Sequence, residues 1–143
     1  MISMIIEAAE NFLLNQIELT SKKSNSLNSQ SQMRTLIASM DIEMDNGDTK
    51  TVYLGFEETL VKEIISVYLM QKNPDAETMQ DMVLESTNMI VGSAKVLAEE
   101  ADTDNFSITT PKFKDMEEFI DCNCNETSVL STPKDSLVIG IKA

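Results

Sequence analysis

Apolar and polar residues follow a helical period near the start of the chain. Between residues 2 and about 19, apolar side chains recur every three to four positions and predict a first amphipathic helix: Ile5, Ile6, Ala9, Leu13 and Ile17. Residues 21–32 are rich in Ser, Asn, Lys and Gln and show no apolar period. We therefore expect a flexible loop there.

The next segment changes to a period of two, which is typical of a β-strand. Between Met33 and Asp45, apolar residues occupy one side of an extended chain, with Ile37 as the exception: Leu36, Ala38, Met40, Ile42 and Met44. Asn46-Gly47 follows, and residues 49–56 resume an extended pattern. An Asn-Gly pair between two alternating runs predicts a β-hairpin.

The remainder of the chain predicts two helices followed by strands. Residues 57–71 form an amphipathic pattern that ends near Pro74, and a third helix runs from about Asp75 to Glu100. Later segments are extended at 106–110, 128–131 and 136–141, and mixed or helical at 114–121. Helices and strands in this order predict an α+β fold, an α/β sandwich with a mixed sheet covered by helices, as a single domain over residues 1–143. We expect most of the ten methionines to fill its core.

A narrow polar stripe interrupts the third helix. Asp81, Glu85, Asn88 and Gly92 fall on one side of it, and apolar residues, among them Val96 and Leu97, occupy most of the remaining circumference. We expect Asp81, Glu85 and Asn88 to be exposed in a line, and a separate set to be buried: Val83, Ile90 and Leu97. Taken singly, each position has a structural explanation: solvated charges for Asp81 and Glu85, a satisfied amide for Asn88, and close packing for Gly92. The alignment of all four residues on one side of the helix favours a functional site.

Charge and composition restrict the possible partners. The formal net charge of −13 disfavours nucleic acid and anionic membranes and favours a partner that presents Lys or Arg, although such acidity also serves solubility alone. Glu7 and Glu10 interrupt what would be the apolar part of a signal peptide, so we expect a cytoplasmic protein. Cys122 and Cys124 are expected to be reduced thiols, and the absence of histidine makes a zinc site improbable.

The stripe offers limited chemistry by itself. It contains no nucleophile paired with a base and no credible set of metal ligands. A carboxamide such as that of Asn88 cannot act as a base at neutral pH, but it can both donate to and accept from one water molecule. Such a residue suits a substrate that brings its own electrophile and metal ion.

The spacing of the stripe resembles a known signature. Asp81, Glu85 and Asn88 are separated by three and two residues, similar to the Asp/Ser-x3-Glu-x2-Asn pattern of the CheC/CheX/FliY family of chemotaxis phosphatases. The order of elements and the stretch from Ile108 to Pro111 also resemble the CheX branch. This resemblance implies a CheC-like fold.

The resemblance also implies an activity: removal of the aspartyl-phosphate from a CheY-type response regulator, which ends a chemotaxis signal. Asn88 would orient the hydrolytic water, and Glu85 would pair with the partner's active-site lysine; these two are the expected catalytic residues. Asp81, Glu85 and Gly92 would bind the partner. No cofactor is expected in this chain, and Mg²⁺ would be held by the response regulator.

Two further expectations come from the same family. A homodimer is implied, formed through an edge strand that we place within Ser128 to Ile141. A second stripe on the first helix would begin with Ser3 and Glu7, but Glu10 stands where the amide is expected and Asn11 comes one position late. We therefore expect a single active stripe. The alternatives are a non-catalytic module that binds a response regulator or is related to the flagellar switch, and a purely structural oligomerisation domain.

Overall fold

The computed structural model describes residues 1–24 and 34–143. Its elements, in chain order, are α1 (Ile2–Ile17), β1 (Lys22–Ser24), β2 (Arg34–Met44), β3 (Thr49–Phe56), α2 (Glu58–Leu69), α3 (Ala76–Ala101), β4 (Phe106–Ile108), β5 (Lys112–Glu118), a 3₁₀ helix (Phe119–Cys122), β6 (Glu126–Thr132) and β7 (Asp135–Lys142). None of the helices within these two ranges has the length and apolar content that a membrane span requires.

The strands form one sheet in the order β1, β6, β7, β3, β2, and β2 then pairs with both β4 and β5 on its other side. All recorded pairings among the described strands are antiparallel. The expected α+β sandwich is confirmed, but the expectation of a mixed sheet was wrong. Two tight hairpins, β2–β3 and β6–β7, impose the antiparallel direction, because a short turn can only reverse the chain.

The main core lies between the three helices and one face of this sheet. Its fully buried members come from α1, α2, α3 and the central strands, among them Ile5, Leu13, Leu60, Ile64, Val83, Ile90, Met40, Val52 and Ile139. The alternation expected in β2 is confirmed, since every second residue from Leu36 to Met44 is buried in this core. The core therefore fixes the buried side of α3 against the sheet.

The Asn-Gly hairpin is also confirmed. Gly47 has a φ of 93°, and its amide donates to the Met44 carbonyl at 2.9 Å. The Asn46 side-chain oxygen accepts the Asp48 amide at 2.9 Å. Glycine suits this turn because the left-handed region carries a steric cost for residues with a Cβ atom.

A smaller apolar cluster on the opposite face of the sheet explains the one exception in β2. Ile37 is buried there with Phe119, Cys122, Val129 and Val138. The Phe119 ring lies directly over two glycines. A Cβ atom added at Gly55 would be 2.7 Å from the ring, and one added at Gly140 would be 2.9 Å from it. Sequence periodicity missed this cluster because its apolar residues come from four separate segments.

Three segments differ from expectation. Lys22–Ser24, at the start of the expected loop, pairs with β6 as a strand, while residues 25–32 lie outside the described residues. The segment 114–121 is mostly strand β5, and only Phe119–Cys122 is helical. The segment proposed as the dimer edge is interior, because β7 pairs with β3 and β6, and β6 also pairs with β1. Extended stretches with few charges are as typical of central strands as of edges, which is why the sequence could not separate them.

Candidate functional site

The start of α3 is fixed by a side-chain cap. The Asp75 carboxylate accepts the Thr78 amide at 2.8 Å, and this hydrogen bond lowers the pKa of Asp75. From this cap α3 continues without interruption to Ala101. The predicted single helix is therefore confirmed, and every later side chain of α3 has a defined direction.

The stripe residues point away from the core, as the periodicity predicts. Asp81, Glu85 and Asn88 are exposed, whereas Val83 and Ile90 are buried. No hydrogen bond or ion pair within residues 1–24 and 34–143 occupies these three side chains. A carboxylate and a carboxamide one turn apart are thus available to an incoming molecule.

Two expectations for the C-terminal half of α3 were wrong. Leu97 is only half-buried, and Val96, expected on the apolar side, is 50% exposed. Val96 lies eleven residues after Glu85, which is about three full turns, so it shares the exposed face of the stripe. The exposed face of α3 therefore continues beyond the stripe to an apolar residue, Val96.

Asp81, Glu85 and Asn88 line a groove with a volume of about 480 Å³, which we call the site groove. Leu84 forms its floor on α3, and the opposite side is the segment Thr109–Pro111 between β4 and β5. The Thr109 hydroxyl donates to the Asp41 carbonyl of β2 at 2.7 Å and so holds this segment against the sheet. The Thr-Thr-Pro stretch noted in the sequence therefore faces the stripe across a fixed gap.

A second groove, of about 340 Å³, lies on the other side of the stripe, and we call it the α2 groove. It is lined by Leu69, Gln71, Thr78, Asp81, Met82 and Glu85. Asp81 and Glu85 therefore line both grooves. Sequence reasoning missed the contribution of α2; the only signal for it is an apolar run, residues 67–70, that extends past the core positions of that helix.

Glu85 also influences a neighbouring phenol. The pKa of Tyr68 is raised, first by burial and second by the negative charge of Glu85. The Tyr68 hydroxyl donates to the Gln16 side chain of α1 at 3.0 Å. Tyr68 thus links α2 to α1 and lies close enough to the stripe for the charge of Glu85 to act on it.

Gly92 lies half-buried at the end of the stripe. Apart from its chain neighbours and the nearby backbone of α3 itself, no atom of the described residues would lie within 4 Å of a Cβ atom added there. The sheet therefore does not approach the backbone at this position. The structure gives no internal reason for a glycine here, where Ala would favour the helix by about 1 kcal/mol.

The residues considered for a second stripe on α1 lie together in a separate groove. Glu7 and Asn11 are exposed and Glu10 is half-buried, with Leu14, Thr20 and Ser21 completing the groove. The exposed amide is four residues from the exposed carboxylate, whereas Asn88 is three residues from Glu85. The angle around the helix axis between Glu7 and Asn11 therefore differs from the angle between Glu85 and Asn88.

The two cysteines lie on the far face of the sheet from both grooves. Cys122 is buried and Cys124 half-buried, both are free thiols, and burial raises the pKa of Cys124 to about 11. Within the described part of the chain, no cluster of three His, Cys, Asp or Glu side chains is arranged to hold a metal ion. The acidic side chains of the stripe thus form a line rather than a ligand cage.

The chain matches the family model described as chemotaxis phosphatase CheX over residues 37–132, which includes the stripe and Thr109–Pro111. Comparison with curated proteins gives no match. Among solved structures, chemotaxis protein CheX from Vibrio vulnificus is 19% identical to this chain and superposes with a TM-score of 0.74. The match covers 99% of this chain and 97% of the Vibrio chain. CheX from Desulfovibrio desulfuricans is 15% identical, with coverage of 97% and 95% and a TM-score of 0.74.

A third similar structure is the CheX–CheY–BeF₃–Mg²⁺ complex from Borrelia burgdorferi, at 18% identity, with coverage of 99% and 97% and a TM-score of 0.71. Likeness at this level of identity establishes the fold, and the expected CheC-like sandwich is confirmed. The family model spans more than half of the chain, including the stripe and the segment that faces it. The chain therefore belongs to the chemotaxis phosphatase CheX family.

Proposed function

We propose that this protein hydrolyses the aspartyl-phosphate of a CheY-type response regulator. The observation that carries the proposal is the pair Glu85 and Asn88, which are exposed one turn apart in the site groove and have no hydrogen bond or ion pair to the described residues. In a chain of the CheX family, this pair has the two functions that such a reaction requires from outside the receiver domain: a group that positions water and a group that engages the receiver's lysine.

Asn88 acts on the water. Its carboxamide accepts one hydrogen bond from the water and can donate another, which fixes the water oxygen in line with the phosphorus atom. The new bond joins that oxygen to phosphorus, the bond from phosphorus to the aspartate oxygen breaks, and the aspartate leaves as a carboxylate. The protons of the water remain with the inorganic phosphate. Because an acyl phosphate is already activated, orientation of the water supplies much of the acceleration.

Glu85 acts on the partner. Its carboxylate, exposed beside Asn88, pairs with the active-site lysine of the receiver domain. Mg²⁺ held by the receiver would offset charge on the phosphoryl oxygens, so this chain needs no metal ligands of its own. The name of the Borrelia complex, which contains both CheY and Mg²⁺, supports this division of roles.

Asp81 and Gly92 contact the partner at the two ends of the stripe. Asp81 lines both grooves and adds negative charge toward a basic surface. Gly92 allows a partner backbone to approach α3, since no other segment of the described residues comes within 4 Å of a Cβ atom added there. We also propose a cytoplasmic location, because the substrate is a cytoplasmic signalling protein.

We further propose that the chain forms a homodimer. Because β7 is paired on both sides and β6 pairs with β1 and β7, we consider the edge on the β2 side of the sheet, which consists of β4 and β5, both paired with β2; β5 is the longer of the two. A bulge at Lys114, with Asp115 at a φ of 80°, interrupts that edge and limits how long a strand it can pair with.

Release of phosphate from a phosphorylated receiver domain tests the proposed activity. The receiver is phosphorylated with a small-molecule phosphodonor in Mg²⁺, the donor is removed, and dephosphorylation is followed with and without this protein. Stimulated release supports the phosphatase. Binding of the receiver without any stimulation would support the alternative, a non-catalytic response-regulator-binding module.

A further inference from the structure

The C-terminal end of α2 presents apolar side chains to solvent beside the α2 groove. Leu69 is 47% exposed and Met70 is 90% exposed, and Tyr68 next to them is partly exposed. We call these three residues the α2 ledge. Exposed apolar side chains are common singly, but three consecutive ones beside a groove form a patch that an interacting molecule can cover.

Helix geometry gives no reason for a methionine at position 70. Met70 ends α2 in the left-handed conformation, with a φ of 55° and its amide donating to the Ser66 carbonyl. Glycine or asparagine is the usual residue at such a position. Every other methionine within the described residues is buried or half-buried. The exposed thioether of Met70, which is flexible and polarisable, suits contact with another molecule.

The ledge is continuous with the proposed catalytic surface. Leu69 lines the α2 groove, whose other members include Met82, Asp81 and Glu85, and the last two also line the site groove. The α2 groove and the ledge are therefore adjacent to the site groove and within reach of a protein that places a group beside Asn88. Tyr68 ties the ledge to α1 through its hydrogen bond to Gln16.

The lining of the α2 groove combines apolar and acidic side chains. Leu69 and Met82 are apolar, while Asp81 and Glu85 are acidic. A lysine or arginine side chain matches this arrangement, because its aliphatic stem can lie along apolar residues while its charge meets a carboxylate. A receiver domain is favoured over a second copy of this chain as the occupant, because Asp81 and Glu85 of the α2 groove also belong to the stripe that is proposed to engage the receiver.

We propose that the α2 groove and the α2 ledge form a docking site for the same phosphorylated receiver domain. A basic side chain of the receiver occupies the groove, and Met70 packs against the apolar surface next to it. This inference rests on the proposed function and extends it to partner choice: contacts outside the stripe select among receiver domains that share the same phosphorylation chemistry.

Substitutions at two exposed positions test the docking site without adding charge. Leu69→Gln keeps a good helix former, and Met70→Asn keeps a residue that tolerates the left-handed conformation. Ile120→Gln is the matched control. Ile120 is also an exposed apolar residue, at 54%, and it belongs to the 3₁₀ helix beside the smaller apolar cluster, on the face of the sheet opposite both grooves. Thermal unfolding checks that all variants fold.

The readouts are the dissociation constant for a beryllofluoride-activated receiver domain and the dephosphorylation rate at saturating protein. We expect the double variant to bind about tenfold more weakly, and each single variant to show part of that loss, with the saturated rate within about twofold of wild type. The Ile120→Gln control should bind and react as wild type does.

The outcomes separate this inference from the proposed function. If wild type neither binds nor dephosphorylates the receiver, the proposed function fails and the docking site fails with it. If wild type is active and the double variant matches it in both measurements, only the docking site is overturned. A double variant that binds normally but reacts slowly would also overturn it, because docking residues act on affinity.

Discussion

The Thr87 hydroxyl donates a hydrogen bond of 2.8 Å to the Val83 carbonyl on the buried side of α3. Thr87 is fully buried, yet the next residue in the chain, Asn88, is exposed in the site groove. The helix thus satisfies the buried hydroxyl internally and leaves the exposed amide unpaired. Asn88 extends from a backbone held by the core, which is the condition for orienting a water molecule reproducibly.

Asn88→Ala should slow the dephosphorylation of a receiver domain at saturating protein by about a hundredfold. The reason is that a water molecule misplaced at the reacting centre lowers the rate by about this factor. Binding of the activated receiver should stay within about twofold of wild type, because the amide acts on water in the transition state. Single-turnover kinetics measures the first quantity. Gln80→Ala, which removes an exposed amide from the same helix outside both grooves, is the control. An Asn88→Ala variant as fast as wild type would refute the mechanism.

Glu85→Ala should impair both binding and turnover. A charge pair formed on docking stabilises the complex and draws the receiver's lysine away from the phosphoryl group, so we expect binding to weaken about tenfold. Raised salt should weaken wild-type binding more than that of the variant, which lacks the pair. Titrations at two ionic strengths measure this. Glu100→Ala removes an exposed carboxylate from the far end of α3 and should leave binding and its salt dependence nearly unchanged.

Gly92→Ala separates stability from binding. Because nothing lies within 4 Å of the added Cβ atom, the variant should be more stable by about 0.5–1 kcal/mol, as measured by urea unfolding. If a partner approaches the backbone here, the same variant should bind the receiver about fivefold more weakly, a cost near 1 kcal/mol. Ser93→Ala, one position along, controls for a general effect of substitution. Stabilisation without any loss of affinity would remove Gly92 from the partner surface.

Light scattering at micromolar concentration should return twice the 15.9 kDa mass of the chain. If sheet pairing through β5 forms the dimer, amides on the outer edge of β5 should exchange with deuterium more slowly at high than at low protein concentration. Amides of β7, paired on both sides, serve as the internal control and should not change. A mass of one chain throughout this range contradicts the dimer.

Glu57 should make stability depend on pH. Burial, and secondly the charge of Asp135, raise the pKa of Glu57 to about 7 from its ordinary value of 4.5, and its buried Oε1 has no hydrogen-bond partner among the described residues. The folded state therefore binds this proton more tightly than the unfolded state, so the stabilisation is complete below pH 4.5 and is lost as the pH rises through 7.

Glu57→Gln should reduce the loss of stability between pH 5 and pH 8 by about 1 kcal/mol, since one pKa unit corresponds to about 1.4 kcal/mol and the carboxyl keeps some contact with solvent. Urea unfolding at both values measures the difference. Glu58→Gln, which changes the exposed carboxyl one residue later, is the control. Equal pH dependence of wild type and Glu57→Gln would show that this carboxyl is not the source.

The sequence alone determined the helices, the hairpin and the position of the stripe. Strong local periods are sufficient for this: the spacing of Val83 and Ile90 placed one side of α3 in the core and left Glu85 and Asn88 outside. The Asn46-Gly47 pair fixed the hairpin because few residues tolerate a φ of 93°. The signature on α3, together with the order of elements and the stretch from Ile108 to Pro111, identified the family that the family model then matched.

Only the tertiary structure decided which separate segments meet. Thr109–Pro111 faces the stripe because β4 pairs with β2 beside α3, and Leu69 joins Asp81 because α2 ends next to that helix. β7 became interior because both β3 and β6 pair with it, whereas its sequence alone is compatible with an edge. Contacts between residues distant in the chain depend on strand order and helix placement, and a local periodic pattern contains neither.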